Sequence, residues 1–455
     1  MRMKRFLSNK MRHAYYKIPD YVRCGKIYRE MYMLLNKSQW WDKKKQEEYQ
    51  MLQLQGLLEH AYETVPYYNR IFNEWDIRLK DIQCINDLKL IPYLTKETIR
   101  ENLEEFISRG YKTNKIQYVT TGGSTGIPFG FYRHDKTELA KEWAFVTHIW
   151  GRVGYNIYRE NRRAILMGQG VTAGEKWFEY RKRQLYLSSS QLNEKNIETY
   201  FRKIELFKPD FIQGYTSSLF ILARYMLENN IELTCSQLKA ILCVSENILP
   251  EQRSVIEAAF HKKVLSFYGH TEHAVIAGEC EESTMYHFES QYGVVEFING
   301  EQEVKQEGEI GEIVATGFHN FVMPFIRYRT RDLAVYTNDI CTCGRNHVLA
   351  KKILGRKQEV VVTKNGSKVI LTGAYKIIFA LQEQIELAQF YQDCPGEVLL
   401  RIVKKKSYKI ESERQILMEL YKKFGNSINF RILYVDDIER TQRGKHLFHI
   451  QKLEV

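Results

Sequence analysis

The sequence has few prolines and cysteines and no long hydrophobic run. Its 455 residues include 8 Pro and 8 Cys. Cysteines scattered through so long a chain exclude the dense disulfide framework of small secreted proteins, so we expect reduced thiols. No stretch approaches the roughly 18 consecutive apolar residues of a membrane-spanning helix, and no signal-peptide run follows the basic N-terminus. The sequence therefore predicts a soluble, cytoplasmic protein.

Basic residues are in excess, and the excess is concentrated at the two ends. Lys and Arg exceed Asp and Glu by 67 to 55, which gives a net charge of +12. Residues 1–30 carry +7 and residues 351–455 carry +8, so the residues between them carry −3. This distribution excludes a polybasic nucleic-acid-binding core. The N-terminal arm combines aromatic rings with Arg2, Lys4, Arg5, Lys10 and Arg12. This composition is compatible with a solvent-exposed helix or with binding to an anionic membrane surface.

Hydrophobic periodicity divides the chain into three parts. Residues 1–75 predict a helical N-terminal segment, because apolar residues recur at helical spacing until Pro66 closes the pattern. Residues 76–354 predict a large α/β domain. From 115 to 335, short apolar or β-branched runs such as Ala164–Met167 alternate with amphipathic segments such as Pro250–Phe260, which is typical of an α/β sheet with antiparallel strands at its end. Residues 355–455 predict a small α+β domain, hinged near Gly355 and Arg356. The predicted fold class is therefore α/β, with a small α+β domain at the C-terminus.

The sharpest local motif is a loop of hydroxyl residues and glycines that follows an apolar strand. It reads Thr120-Thr-Gly-Gly-Ser-Thr-Gly126. Glycines let backbone N–H groups approach an anion closely and the hydroxyls add donors, so the loop is built to hold phosphate. The lysine of a Walker A loop is absent. A flexible surface turn is the alternative interpretation.

Two further blocks place aromatic, hydroxyl and carboxylate groups near the ends of predicted strands. The first, Tyr268-Gly-His-Thr-Glu272, suits a nucleotide base stacked on the tyrosine, with a phosphate and its Mg²⁺ at the threonine and glutamate. The second ends a predicted strand at Asp332, whose two oxygens suit the neighbouring hydroxyls of a ribose. The alternatives are a structural Tyr-Gly turn and a salt bridge from Asp332 to Arg329 or Arg331.

A lysine near the C-terminus lies on a glycine-containing segment, Arg440-Thr-Gln-Arg-Gly-Lys445. Such a lysine is usually a solvated charge. Its functional interpretation is a mobile cation that meets negative charge developing in a transition state.

The order and spacing of these blocks resemble the adenylate-forming enzymes, and within them the phenylacetate-CoA ligase and CapK branch. The resemblance covers almost the whole chain, including Leu57-Leu-Glu-His-Ala-Tyr-Glu-Thr-Val-Pro-Tyr-Tyr68. It implies that ATP activates a carboxylic acid to an acyl-adenylate, with release of pyrophosphate. The acyl group then passes to CoA or, in a CapK-type enzyme of capsule polysaccharide synthesis, to an amine or hydroxyl of a sugar. In relatives the small domain is mobile and rotates about the hinge between the two steps.

The resemblance also implies roles for individual residues. Lys445, Thr271 and Glu272 are the implied catalytic residues, with Glu272 as the ligand of Mg²⁺. The implied ATP site comprises Thr120, Thr121, Gly122, Gly123, Ser124, Thr125, Gly126, Ser245, Glu246, Tyr268, Gly269, Asp332 and Arg356. Three positions depart from the family pattern: Ile127, Arg331 and Gln358. The implied acyl pocket lies in space between the segment that follows the phosphate loop and the helix that begins near Gly214. Its candidate residues are Trp143, His148, Trp150, Gln213, Tyr215 and Ser245.

Cysteines follow two of the nucleotide motifs. Cys280 and His287 follow the Tyr268 block, and Cys341 and Cys343 follow Asp332. Three thiolates and one imidazole form a normal set for a closed, structural Zn²⁺ site, as in some members of the branch. Two unrelated pairs of reduced cysteines are the alternative. A non-catalytic zinc protein that binds a polyanion or a membrane surface through its basic arm is a second alternative function, and the sequence predicts no oligomeric state.

Overall fold

The computed structural model describes residues 19–111, 116–121, 129–167, 178–181, 183–189, 192, 196–356, 360–366, 368–371, 374, 377–378, 381, 383–440 and 446–453. The N-terminal part is helical, as predicted: α1 Asp20–Arg23, α2 Gly25–Ser38, α3 Lys43–Thr64 and α4 Pro66–Glu74. Short 3₁₀ turns at Leu79–Asp81, Ile85–Leu90 and Leu103–Phe106 surround α5, Lys96–Glu101. Pro66 opens α4 rather than closing the helical region, because proline in the first turn forfeits no intrahelical hydrogen bond.

The middle part alternates strands and helices, which confirms the α/β prediction. The strands are β1 Gln117–Thr121, β2 Phe129–Arg133, β3 Arg163–Leu166, β4 Phe178–Arg181, β5 Gln184–Leu187, β6 Phe211–Gly214, β7 Ala240–Cys243, β8 Val264–Gly269, β9 Ile276–Gly278, β10 Tyr286–Phe288, β11 Gly293–Asn299, β12 Gln302–Glu303, β13 Ile310–Gly317, β14 Tyr328–Tyr336 and β15 Val348–Arg356. The helices between them are α6 Asp135–Gly151, α7 Ile197–Phe207, α8 Thr216–Glu228 and α9 Pro250–Phe260.

Thirteen of the described strands form one sheet in the order β12-β11-β13-β14-β15-β10-β9-β8-β7-β6-β3-β5-β4. β5, β3, β6, β7 and β8 are parallel neighbours, and the later strands pair antiparallel. Strands β3 and β6 are adjacent, but the chain leaves β3 toward β5 and leaves β6 toward β7. Such a point of reversal opens a crevice at the carboxyl ends of the strands, where ligands of open α/β sheets bind.

Apolar side chains on both faces of the sheet fix its position against the helices. On one face, Leu242, Leu265 and Phe211 pack with Tyr28 and Leu35 of α2 and with Phe145 of α6. The hydroxyls of Tyr28 and Thr147 also lie 2.8 Å apart, which ties α2 to α6. The N-terminal helices are therefore part of the same packed unit as the sheet. None of the described helices combines the length and the hydrophobicity needed to cross a lipid bilayer.

The C-terminal part forms a separate sheet, as predicted. Its strands are β16 Val360–Val362, β17 Lys368–Ile370, β18 Ile385–Cys394, β19 Glu397–Lys404, β20 Asn429–Tyr434 and β21 His449–Gln451, with α10 at Ile410–Phe424. Four of these strands form a sheet in the order β20-β19-β18-β21. This part packs on α8, where Arg224 donates to the Ile385 carbonyl at 3.0 Å and Lys405 lies 2.6 Å from Glu228.

Candidate active site and metal site

Tyr268 and Asp332, which the sequence placed in separate blocks, are bonded to each other. Tyr268 lies at the end of β8, and its hydroxyl donates to Asp332 Oδ2 at 2.7 Å. Asp332 lies within β14, which continues to Tyr336, so the prediction that the strand ends at Asp332 was wrong. The strand continues because its residues 333–336 keep pairing with β15 through register shifts. Burial, and then the Asp332 charge, hold the pKa of Tyr268 well above its usual value.

The neighbouring arginines pair with glutamates, which argues against the alternative interpretation of Asp332 as a strand-end salt bridge. Arg329 pairs with Glu312 at 2.8 Å, and Arg331 pairs with Glu97 at 2.6 Å. Arg331 has a positive φ of 66°, a backbone conformation that favours glycine. Asp332 accepts the hydrogen bond of Tyr268 instead.

Glu272 is a buried carboxylate surrounded by three polar side chains. Its side chain is 6% exposed, and Tyr328 donates to Oε1 at 3.1 Å. Lys96 Nζ lies 3.4 Å from Oε1, and His270 Nδ1 lies 3.4 Å from Oε2. Burial alone would raise the pKa of Glu272, but His270 and the Lys96 charge lower it below its usual range. The group is therefore an ionised carboxylate that already contacts the Lys96 cation. Thr271 precedes it and is half-buried.

Lys96 is a site residue that the sequence analysis missed. It opens α5, whose preceding residue Thr95 caps the helix by accepting from the Thr98 N–H at 3.1 Å. Its ammonium contacts Glu272 and lies 5.6 Å from the centre of the Phe129 ring. The capping pattern was visible in the sequence and predicts a helix start. The contact with Glu272 was not, because the two residues are far apart in the chain.

The remaining predicted nucleotide contacts are divided between described and undescribed residues. Thr120 pairs with Gly130 and Thr121 with Phe129 in the β1–β2 ribbon, which leads into the predicted phosphate loop. Gly269 ends β8, and Arg356 ends β15 opposite Asp332. The loop residues Gly122, Gly123, Ser124, Thr125 and Gly126, the departures Ile127 and Gln358, and Lys445 lie outside the described residues.

Glu246 caps α8 from the neighbouring strand end. Its Oε2 accepts from the Ser217 N–H at 2.8 Å, and its Oε1 accepts from the Ser217 hydroxyl at 3.2 Å. A carboxylate at a helix N-terminus is stabilised by the free N–H groups and the helix dipole. The preceding residue, Ser245, has a positive φ of 63° and lies directly after β7. The Ser245-Glu246 pair thus borders the carboxyl edge of the sheet.

The predicted acyl-pocket residues fall into two groups. Gln213 is the residue before the end of β6, and Tyr215, 2% exposed, directly precedes α8. Trp143 joins this group through Arg163, whose guanidinium lies over its ring and bonds to Gln213. Trp150 packs against Trp143 at 5.3 Å between ring centres.

His148 lies elsewhere on α6. It is buried and packs edge-on against Tyr32 of α2, with ring centres 6.0 Å apart. Burial lowers the pKa of His148 to about 3, so its imidazole is neutral at physiological pH. No described contact joins His148 to Gln213 or Tyr215, and this residue stays a prediction as a pocket residue.

The four predicted metal ligands lie together. The ligand atoms of Cys280, His287, Cys341 and Cys343 are all within 4.8 Å of one another. Cys280 follows β9, His287 lies in β10, and the other two cysteines lie in the loop between β14 and β15. This geometry rules out the interpretation as two unrelated cysteine pairs.

The spacing of these atoms fits a tetrahedral zinc site. Cys280 Sγ and Cys341 Sγ are 3.6 Å apart, and Cys343 Sγ and His287 Nε2 are 3.9 Å apart. Bond lengths of about 2.3 Å for Zn–S and 2.0 Å for Zn–N give tetrahedral edges of roughly 3.6–3.8 Å. A disulfide needs about 2.0 Å between sulfurs, so the cysteines are free thiols.

The surroundings of the cysteine and histidine cluster connect it to the N-terminal helices. The Ser283 N–H donates to Cys280 Sγ at 3.2 Å. Arg345 pairs with Glu281 at 2.9 Å and donates to the Gln39 side chain at 2.9 Å. The loop that carries Cys341 and Cys343 therefore also contacts the residue that follows α2.

Comparisons with known proteins agree with the geometry. Residues 361–452 match the family model described as the CapK C-terminal domain. The chain is 26% identical over 397 residues to protein CapK of Staphylococcus aureus, covering 85% of each chain. It is 24% identical over 353 residues to phenylacetate-coenzyme A ligase of Pseudomonas putida, covering 76% of this chain and 78% of the ligase. A crystal structure of 2-hydroxyisobutyryl-CoA ligase in the postadenylation state has the same fold, with a TM-score of 0.71, 17% identity, and coverage of 91% and 93% of the two chains.

Proposed function

Because the chain belongs to the adenylate-forming enzymes, in the branch of CapK and the phenylacetate-CoA ligases, we propose that it is an AMP-forming ligase of carboxylic acids. It converts ATP and an acid to an acyl-adenylate and pyrophosphate, and passes the acyl group to CoA. The observation that carries this proposal is the contact between two of the sequence motifs, the Tyr268–Glu272 block and Asp332. Tyr268 contacts Asp332, and Glu272 lies four residues after Tyr268 with an ionised carboxylate.

In the proposed nucleotide pose, adenine stacks on the Tyr268 ring and the ribose hydroxyls bond to Asp332. The existing Tyr268–Asp332 hydrogen bond at 2.7 Å fixes the carboxylate beside the ring, and a carboxylate can accept hydrogen bonds from two neighbouring ribose hydroxyls. The loop from Thr120 to Gly126 follows β1 and would hold the phosphates through its N–H and hydroxyl groups. Arg356, opposite Asp332 in the strand pair, contacts the nucleotide from the proposed hinge.

The chemical step is attack of the substrate carboxylate on the α-phosphorus, with pyrophosphate leaving. The donor set fits Mg²⁺, because Glu272 is an ionised oxygen ligand and magnesium combines one or two carboxylates with substrate phosphates. Magnesium bound there would offset charge on the phosphate oxygens. Lys96 now neutralises Glu272, and Thr271 beside it offers a hydroxyl to the α-phosphate. Lys445, from the C-terminal part, would meet the charge that develops on the reacting oxygens.

Zinc is proposed as a structural ion. Three thiolates and one imidazole fill a tetrahedral shell, so no position is left for substrate. Its role would be to join the loop after β9 to the loop between β14 and β15. The first follows Glu272 and the second follows Asp332, so the ion would stabilise the elements that carry the nucleotide site.

We also propose the division into a helical segment 1–75, a large adenylation domain 76–354 and a small mobile domain 355–455. The contacts of the small domain with α8, which are Arg224 with the Ile385 carbonyl and Lys405 with Glu228, would have to break when the small domain rotates. Use of ATP and CoA and the free thiols favour a cytoplasmic location. A membrane role of the basic arm stays a prediction, because residues 1–18 lie outside the described residues.

A sugar acceptor is the second candidate. It is favoured by the match of residues 361–452 to the CapK C-terminal domain and by the 85% coverage of CapK. In that case the acyl group would pass to an amine or hydroxyl of a sugar in capsule or polysaccharide synthesis.

A screen of carboxylic acids by pyrophosphate release tests the proposal. The purified protein is mixed with ATP, Mg²⁺ and each acid, with CoA, with amino sugars or with neither. Release that depends on the acid supports the ligase. Acyl-CoA in the product mixture identifies CoA as the acceptor, and acylated sugar identifies the CapK-type reaction. Absence of release with every acid contradicts the ligase and leaves the non-catalytic binding protein.

A further inference from the structure

A polar pair that no nucleotide motif uses joins strands β3 and β6. Arg163 lies at the amino end of β3, and its side chain reaches along the sheet so that Nη1 donates to Gln213 Oε1 at 2.7 Å. Gln213 is the residue before the end of β6, and Met167 directly follows β3, so the amide lies near the carboxyl ends of both strands. The chain reverses its winding direction between these two strands, so this is the crevice where the fold places a ligand.

Arg163 determines which end of the Gln213 amide faces the crevice. A guanidinium only donates hydrogen bonds, so the amide oxygen must face Arg163 and the NH₂ must face away. Among the residues that the structure describes, the acceptor for that NH₂ is Met167 Sδ at 3.8 Å. A thioether is a weak acceptor, so this contact satisfies the half-buried NH₂ poorly. A ligand that brings an oxygen acceptor to the NH₂ would form a stronger hydrogen bond.

The surroundings of Arg163 hold its guanidinium in place. The side chain is buried, and its guanidinium lies 5.2 Å from the ring centres of both Trp143 and Trp150, where cation–π contacts stabilise it. Asp20 lines the same small cavity as Arg163 near the start of β3, so a negative charge also lies close to it. Arg163 therefore keeps the amide of Gln213 in one orientation, and an apolar acyl group would make no hydrogen bond to the NH₂.

We propose that the acyl group of the substrate carries an oxygen acceptor, which Gln213 Nε2 binds while Arg163 holds the amide in position. The substrate class is a hydroxy, oxo or dicarboxylic acid, rather than an unsubstituted alkyl or aryl acid. This inference rests on the proposed ligase function. Gln213 is then a specificity residue, and Arg163 is a positioning residue that acts through it.

The test compares matched acids in the pyrophosphate assay. Each carbon skeleton is offered without a substituent and with a hydroxyl, oxo or second carboxyl group: phenylacetate with 4-hydroxyphenylacetate, butanoate with 3-hydroxybutanoate and succinate, and longer pairs of the same design. We expect the wild-type protein to prefer an oxygenated member by at least about tenfold in kcat/KM. Preference for the hydroxy and oxo acids over the dicarboxylate identifies a neutral acceptor, and the reverse identifies an anionic one.

Two substitutions at Gln213 separate the amide donor from side-chain volume. Gln213→Leu removes the donor, and Gln213→Glu keeps the shape and the bond to Arg163 but offers no donor. Both should abolish the preference through KM for the acid, with KM for ATP unchanged. Arg163→Lys should retain part of the preference because it still donates to the amide oxygen, and Arg163→Leu should lose it. Gln46→Leu, at a buried glutamine of α3 that donates to Trp41 O at 3.0 Å, is the matched control for a buried amide.

The outcomes distinguish this inference from the function on which it rests. Equal rates for both members of every pair overturn the inference and leave the ligase intact. A wild-type preference that persists in folded Gln213→Leu and Gln213→Glu proteins also overturns it, because another group then recognises the oxygen. Absence of pyrophosphate release with every acid overturns the proposed ligase and this inference with it.

Discussion

Removal of one thiolate from the cysteine and histidine cluster should destabilise the large domain without abolishing chemistry at once. Cys341→Ser keeps the size of the side chain but replaces a strong zinc ligand. Structural zinc sites bind with an apparent ~10–16 kcal/mol, so one of four ligands corresponds to about 3 kcal/mol. The sulfur separation of 3.6 Å leaves no disulfide to compensate for the loss. For a unit of this size, about 3 kcal/mol lowers the melting temperature by roughly 4 °C.

The assay combines metal analysis with thermal unfolding. Wild-type protein should contain about one zinc per chain. Cys341→Ser should lose the metal and melt earlier, and added chelator should lower the melting temperature of the wild type but not of the variant. Cys235→Ser, at a buried cysteine outside the cluster, is the control and should keep its zinc. Metal-free wild-type protein with an unchanged melting temperature and full activity would refute the reasoning.

Substitutions at three other residues test the nucleotide site and the packed unit around it. Glu272→Gln removes the proposed magnesium ligand, so pyrophosphate release should fall by about 10² or more; an unchanged rate in folded protein contradicts the role. Tyr268→Phe keeps the ring but removes the hydrogen bond to Asp332, so KM for ATP should rise by about threefold. Tyr268→Ala also loses base stacking of about 1–3 kcal/mol, so it should raise KM for ATP tenfold or more. Equal effects of the two variants argue against stacking. The pKa of His148 is about 3 when folded and about 6.5 when unfolded, so acid stabilises the unfolded chain and stability falls as the pH drops below 6.5. At pH 5 this loss is about 2 kcal/mol, and His148→Gln should remove that part of the pH dependence in denaturant titrations; an unchanged slope contradicts it.

Local patterns predicted the elements of the fold because the signals that form them are local. The apolar run predicted at Ala164–Met167 is β3 at Arg163–Leu166, and the amphipathic segment Pro250–Phe260 is α9 with the same bounds. Buried parallel strands consist of short apolar runs, so their existence and limits can be read from sequence. The residues of the candidate zinc cluster could also be chosen from the sequence, since their types and number are visible without the fold, and the structure places their ligand atoms together.

Contacts between distant segments could not be predicted in the same way. Lys96 reaches Glu272, and Arg163 reaches Gln213, through strand order and helix placement that no local pattern encodes. The length of β14 was misjudged at Asp332, because pairing with β15 through register shifts extends the strand past a motif that resembles a strand end. These tertiary contacts determine the charge at the proposed metal ligand and the polarity of the acyl crevice.

The most direct test of the ligase is acid-dependent exchange of labelled pyrophosphate into ATP. This exchange reports formation of the acyl-adenylate alone, whatever the acceptor. We predict exchange with a suitable acid in wild-type protein, a loss of about 10² or more in Lys445→Ala, and no loss in Lys452→Ala, which changes an exposed lysine of the same domain. Folded Lys445→Ala protein that exchanges at the wild-type rate, or wild-type exchange that needs no acid, would contradict the account.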